Sequence, residues 1–267
     1  YGAAVTEPNL TLLLNTTVQA CAVEEGAIRS VRGWQLTTET QWTVRAPLFA
    51  DCSGDSILAP LSGARWRIGR EARAEYGESI APGTADLKTM GMSCLLQARE
   101  YPSPQTFIPP SWAHSYAANS GQIRSRGYDA RATNFWWIEV GGASGDILHC
   151  CEQAREDLLR IVFGTWDYVK NHAPDRDRYA NWAIEWIGFL PGKRESRRYV
   201  GDHVLTQGDI EAEGRFDDLV AYGGWTMDDH FPAGFYHPRA GTIFHPAPSP
   251  FGIPYRSLYS CNIANLF

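Results

Sequence analysis

The chain has 267 residues, a formal net charge of -6, 44% apolar and 20% charged residues, the make-up of a globular protein with one large domain or two modest ones. The negative charge gives no electrostatic basis for holding nucleic acid or an anionic membrane surface, and no apolar run is long enough to cross a bilayer. Cys21, Cys52, Cys94, Cys150, Cys151 and Cys261 follow neither a C-x-x-C nor a Cys/His zinc spacing; they read as buried free thiols rather than disulfides or metal ligands, which leans towards a reducing, cytoplasmic compartment.

Leu10 to Ala22 is strand-like, Gly26 marks a turn, and residues 28–36 and 40–52 carry alternation or apolar runs that predict further strands. The result is a β-meander followed by a core strand. That strand runs into "FADCSGDSILAPLSGA", residues 49–64, stops on small residues and acids, and turns into a helix. Glycine is needed at such a corner where backbone takes a positive φ or approaches something closely. The corner is either a plain strand-to-helix turn capped by Asp51 or Asp55, or the edge of a ligand site.

From Cys151, apolar residues recur with a helical period: Ala154, Leu158, Ile161, Val162, Trp166 and Val169 share one face. Acids gather early and Lys170 and His172 late, as the helix dipole favours, and Pro174 ends the run. A further apolar run closes at Pro191-Gly192. The basic cluster Lys193, Arg194, Arg197 and Arg198 follows, then strand character over 199–206. Thr206 and Asp209 have the spacing of a helix N-cap. Residues 223–256, rich in Gly, Pro, His and aromatic rings, read as a long functional loop. Ten Trp, twelve Tyr and eleven Phe serve either core packing or a pocket for a planar or sugar-like ligand.

Several of these stretches together resemble a family. "ADCSGDSILAPLSGARWRIGRE" resembles the D-x-T-G-D-G corner of FAD-dependent oxidoreductases with a glutathione-reductase-like flavin domain. It is closer still to the bacterial family simply called FAD-dependent oxidoreductases. Gly69-Arg70-Glu71, "GKRESRR" at Gly192 to Arg198, "GDHVLTQGD" at Gly201 to Asp209, Asp229-His230 and "IPYRSL" at Ile253 to Leu258 extend the likeness over nearly the whole chain. Ser56 stands where the family has glycine. The resemblance implies a mixed α+β and α/β fold. Residues 1–85 would be part of an FAD-binding, Rossmann-like domain with a β-meander, 86–250 a mixed α+β substrate or cap domain, and 251–267 a return strand. The family's G-x-G-x-x-G would lie before Tyr1 and its last flavin motif after Phe267. The chain is therefore expected to be the central portion of a longer flavoprotein, retaining little FAD alone. Phe267 would interrupt a strand.

The resemblance implies FAD as cofactor and hydride or electron transfer to or from a small organic substrate, a polyol, sugar derivative or acid. Val18, through its backbone, would contact the adenine; Asp51, Ser53, Gly54 and Asp55 would form the flavin-facing corner. Arg194, Arg197 and Arg198 are candidates to clamp a carboxylate, a phosphate or the reduced flavin anion, or else form surface ion pairs with Glu195 or Asp202. Alternation sets Arg197 and Tyr199 on one side and Arg198 on the other, which favours Arg194 with Arg197. His230, beside Asp228-Asp229, has the chemistry of an acid/base, or is an ordinary loop histidine. His237 and His245, each followed by proline, read as turn structure, and no metal site is expected. Arg256 either faces the cofactor or forms a salt bridge. Two other readings stay open: a non-catalytic carbohydrate-binding module and a structural fragment.

Overall fold

The computed structural model describes residues 1–116, 121–129, 135, 137–239 and 242–267. The meander is an antiparallel sheet in the order β1 (Thr16–Glu24), β2 (Ala27–Gln35), β3 (Thr40–Val44). Its first connection is the two-residue loop Glu25-Gly26, with φ of 50° and 71°. A loop with both residues left-handed matches the right-handed twist of the strands it joins. β1 starts later than the apolar residues from Leu10 suggested. Asn15, at φ 53°, breaks the extended backbone, and Leu10, Leu12 and Leu14 are exposed.

Phe49 bridges Leu266 in parallel. The amide of Phe49 donates to Asn265 O at 2.9 Å, and the amide of Asp51 donates to Phe267 O at 2.7 Å. Asn265 also grips β2, accepting from the Ile28 amide at 2.8 Å and donating to Ile28 O at 2.9 Å. Residues 265–267 are thus tied to both the meander and the strand that enters the corner. The chain then turns into the helix Leu58–Ser62, closed by Gly63 at φ 76°. Ile28, Phe49, Leu58, Ala59, Ala64, Ile263 and Leu266 form the core of this region. Each of its large apolar side chains contributes roughly 1.5–3 kcal/mol on burial.

A second, larger core surrounds the helix Cys151–Asp167. All six residues assigned to its inner face are buried. The helix runs on through a π-helical turn, Tyr168–His172, and ends before Pro174. The Lys170 ammonium is buried there and donates to the carbonyls of Tyr179, Ala180 and Trp182 at 2.6 to 2.8 Å. Short antiparallel ladders pack over this helix: Met92–Ser93 with Glu139–Val140, and Leu96–Glu100 with Trp182–Ile187.

Two expectations change. The strand expected over 199–206 is only Arg198–Tyr199, paired with Trp66–Arg67. Gly201 then packs so tightly that a Cβ would lie 2.7 Å from Arg256 O. Within 223–256, the expected long loop, Met227–His230 pairs with Thr242–His245, and Phe251–Pro254 pairs with Leu219–Gly223. Four-residue strands are too short for their period to stand out from surrounding Gly and Pro. Among the described residues the ladders are antiparallel, and parallel pairing is confined to Phe49 with Leu266. The fold is mixed α and β. Among the described residues, no helix is long and apolar enough to cross a membrane.

The expected cap is present as a reciprocal capping box. The Asp209 amide donates to Thr206 Oγ1, and the Thr206 amide donates to Asp209 Oδ2. Thr206→Ala should therefore cost about 1 kcal/mol, read as a lower denaturant midpoint; an unchanged midpoint would show that the box contributes nothing.

Candidate active site

The corner after Phe49 is built by Asp51. Its carboxylate accepts from the amides of Ser53 (3.0 Å) and Leu58 (2.8 Å) and from the Tyr199 hydroxyl (2.6 Å). It thereby caps the helix, as the simpler reading of the corner required. Burial pushes the Asp51 carboxyl up, but the bonds from Ser53, Tyr199 and Leu58 outweigh it and hold it below the usual carboxylate range. Ser53 Oγ accepts from the Ile57 amide at 3.1 Å. Gly54 has φ 79° and Ser56 φ 49°. Ser56 thus adopts the left-handed conformation that favours glycine, and its hydroxyl donates to Arg197 O at 3.0 Å.

Nothing lies within 4 Å of where a Gly54 Cβ would be, and Cys52, Ser53 and Gly54 are exposed. The amides of Cys52, Gly54 and Asp55 have no acceptor among the described residues. The corner is a turn of free backbone donors, the chemistry that suits phosphate or hydroxyl oxygens. Val18 lies at a register shift in β1, an edge strand of its sheet.

Residues 193–198 connect this corner to a second cluster: Lys193, Ser196 and Arg197 turn to the corner, and Arg194 turns away from it. Lys193 pairs with Asp55, and Ser196 Oγ donates to the other Asp55 oxygen at 2.8 Å. Arg197 Nε donates to Asp55 O at 2.8 Å, and its guanidinium lies over the Trp66 ring. Arg198 turns the other way, to Glu71, Glu195 and Gly69 O. The alternation expected for Arg197, Arg198 and Tyr199 therefore holds, and Arg198 forms the ion pair with Glu195 that the simpler reading named. Arg194 does not join Arg197. It reaches Glu139 instead.

Glu139, 3% exposed, is the centre of that cluster. Its Oε2 takes Arg194 Nη2 and lies 3.0 Å from His230 Nδ1; its Oε1 accepts from the Gly91 amide at 2.9 Å. An ionised carboxylate only accepts, so Nδ1 carries a proton, and in the neutral ring Nε2 is then the acceptor. Nε2 lies 3.3 Å from Thr242 Oγ1 and 3.9 Å from the Asp228 carboxylate. The acid holding His230 is thus Glu139 and not its sequence neighbours. Two glycines make the fit tight: a Cβ on Gly91 would meet Glu139 Cγ at 2.7 Å, and one on Gly234 would meet Glu139 O at 2.1 Å.

Glu139, His230 and Thr242 line a cavity of about 210 Å³ with Trp137, Phe231, Phe244, Gly234 and Arg126. Its volume equals about seven liquid waters. Val140 faces the other side of the same strand, onto a larger cavity of about 520 Å³. There the Asp157 carboxylate is taken by Tyr236 and His114, and the exposed Glu156 lines the same space.

The remaining candidates lie elsewhere. Arg256 pairs with Asp218 at 3.3 Å and lies over Phe216. His237 stacks on Phe231 with ring centroids 3.8 Å apart. His245 lies 3.8 Å from the Asp229 carboxylate. Sequence reasoning missed Glu139. The signal was there: an acid between Ile138 and Val140, inside a run apolar enough for a core strand, is rarely left unpaired.

A family model described as FAD dependent oxidoreductase matches residues 1–267. The chain belongs to that family. No curated protein and no solved structure matches it. For an FAD dependent oxidoreductase, the Gly54 corner has the right chemistry: unspent backbone donors, open space and a left-handed backbone. The side chains of Asp51 and Asp55, by contrast, are already bonded within the chain. If FAD approaches the backbone here, Gly54→Val should lower flavin content by about tenfold or more, because a branched side chain blocks close approach. Flavin absorbance per mole of purified protein measures this, and an unchanged ratio would leave the corner a structural turn only.

Proposed function

We propose that this FAD dependent oxidoreductase oxidises a small organic hydroxy compound, or reduces the matching carbonyl, with His230 as the acid/base. The observation that carries the proposal is the buried Glu139 carboxylate on His230 Nδ1, which leaves Nε2 as an acceptor on the wall of a small cavity. When bound, FAD supplies the two-electron chemistry that no side chain has. The chain supplies the rest. A hydroxyl oxidised to a carbonyl must release its proton, and His230 Nε2 takes it. Glu139 fixes the tautomer, and the Thr242 hydroxyl, 3.3 Å from Nε2, turns aside as the substrate hydroxyl takes its place. Trp137, Phe231 and Phe244 give the cavity an aromatic lining for the carbon skeleton of the substrate.

On this reading residues 1–85 and 251–267 hold the flavin side, and 86–250 hold the substrate side. Residues 193–198 lie between them, with Lys193, Ser196 and Arg197 on the corner and Arg194 on Glu139. The separation of Arg194 from Arg197 assigns them different work. Arg194 positions the acid/base pair, and Arg197 braces the corner.

The test is flavin reduction in FAD-loaded His230→Gln. General acid–base catalysis contributes about 10²- to 10⁴-fold, so reduction by substrate should slow by that order with flavin content unchanged. Reduction at the wild-type rate would remove His230 from the mechanism.

A further inference from the structure

Among the side chains that line the His230 cavity, Arg126 is a charged group without a charged partner among the described residues. Glu139 is matched by Arg194, and the Asp228 carboxylate lies outside the lining, 3.9 Å from His230 Nε2. The Arg126 guanidinium donates only to backbone carbonyls: Nη1 to Gln122 O, and Nη2 to Phe235 O and His237 O at 3.1 and 2.8 Å, with longer contacts to Gly234 O and Arg239 O. It has no carboxylate partner among the described residues, and the other residues of the chain include no acid. Its Nε–H has no acceptor among the described residues either. Burial pushes the guanidinium down with no offsetting anion, yet arginine stays protonated in proteins.

A half-buried, permanent cation without a counter-ion is costly. Carbonyl dipoles meet part of that cost here, and an anion in the cavity would meet the remainder. The space is small, about 210 Å³, and walled by rings, so the anion must itself be small.

We propose that the cavity takes a small hydroxy monocarboxylate, its carboxylate held by Arg126 and its hydroxyl facing His230. This rests on the reading of His230 as the acid/base, and it names the substrate class for that site. Arg126 becomes the residue that selects an anion over a neutral alcohol of the same shape.

The test separates the two claims by using ligands that cannot react. Propionate and propionamide have nearly the same shape and differ by one charge. Calorimetry on the FAD-loaded protein should show propionate binding about tenfold or more tighter than propionamide. The preference should persist in His230→Gln, because binding needs no proton transfer. It should vanish in Arg126→Gln and survive in Arg126→Lys, which keeps the charge while losing much of the carbonyl clamp. Malonate, with a second charge and no second cation to meet it, should bind more weakly than propionate. Equal binding of propionate and propionamide by the wild type, binding of neither, or a preference that survives Arg126→Gln would overturn the proposal. If Arg126→Gln does not fold, loss of the preference in folded Arg126→Lys would overturn it as well. Flavin reduction in His230→Gln judges the acid/base reading separately.

Discussion

Glu139→Ala is expected to destabilise the protein by about 3–5 kcal/mol, the cost of removing one partner from a buried ion pair. Arg194 would be left facing His230 at 3.4 Å, and the Gly91 amide would lose its acceptor. Glu139→Gln keeps the volume and an oxygen for His230 Nδ1, but it cannot neutralise Arg194. Its stability loss should be smaller, while flavin reduction should still fall by about tenfold or more because the ring loses the charge that holds its tautomer. Urea unfolding and rapid-mixing reduction measure the two effects. A denaturation midpoint for Glu139→Ala equal to that of wild type would mean the carboxylate is not the buried hub described above.

Asp51→Ala should cost about 2–4 kcal/mol, since it strands the Tyr199 hydroxyl and two amides that a charged acceptor now satisfies. The pH dependence has a definite sign. The folded value lies below the unfolded one, so the carboxylate contributes stability that is fully present above about pH 3.9. That contribution is lost as pH falls through the lowered folded value. The variant should therefore differ most from wild type near neutral pH, and the gap should close in acid. A constant gap from neutral pH down to the acid transition would assign the loss to packing and not to the carboxylate's charge.

The elements with strong local signals were legible in the chain. The Cys151–Asp167 helix carried four turns of period, the meander had a Gly26 turn, and Thr206 with Asp209 announced their cap. Those signals lie within a few residues of each other, where period and turn chemistry act. The short ladders of 223–256 were not legible, because pairs such as Met227–His245 are set by distant partners and not by local pattern. The site was half legible. Arg194 and His230 were named from their chemistry, and they do meet. Their meeting point, Glu139, is 55 residues from Arg194 and 91 from His230 in sequence, a separation that no motif spans. Arg126 was missed for a related reason: its partners are main-chain carbonyls, which carry no sequence signature. Arg197 was grouped with Arg194, three residues before it, but in the fold it joins Ser196 on Asp55 while Arg194 reaches Glu139. Asp51 and Asp55 read as cofactor ligands from their place in the corner, and in the fold their side chains hold the corner together.

The most direct measurement of the central claim is chemical rescue. In FAD-loaded His230→Ala, the cavity gains the space of an imidazole ring while Glu139 and Thr242 remain to receive one. Added imidazole should restore flavin reduction by substrate, with a rate that rises with the unprotonated fraction of imidazole and saturates. Flavin content should match the wild type throughout. Reduction that stays slow at every imidazole concentration, in protein with full flavin and normal stability, would contradict His230 as the group that moves the proton, as would a variant that needs no rescue at all.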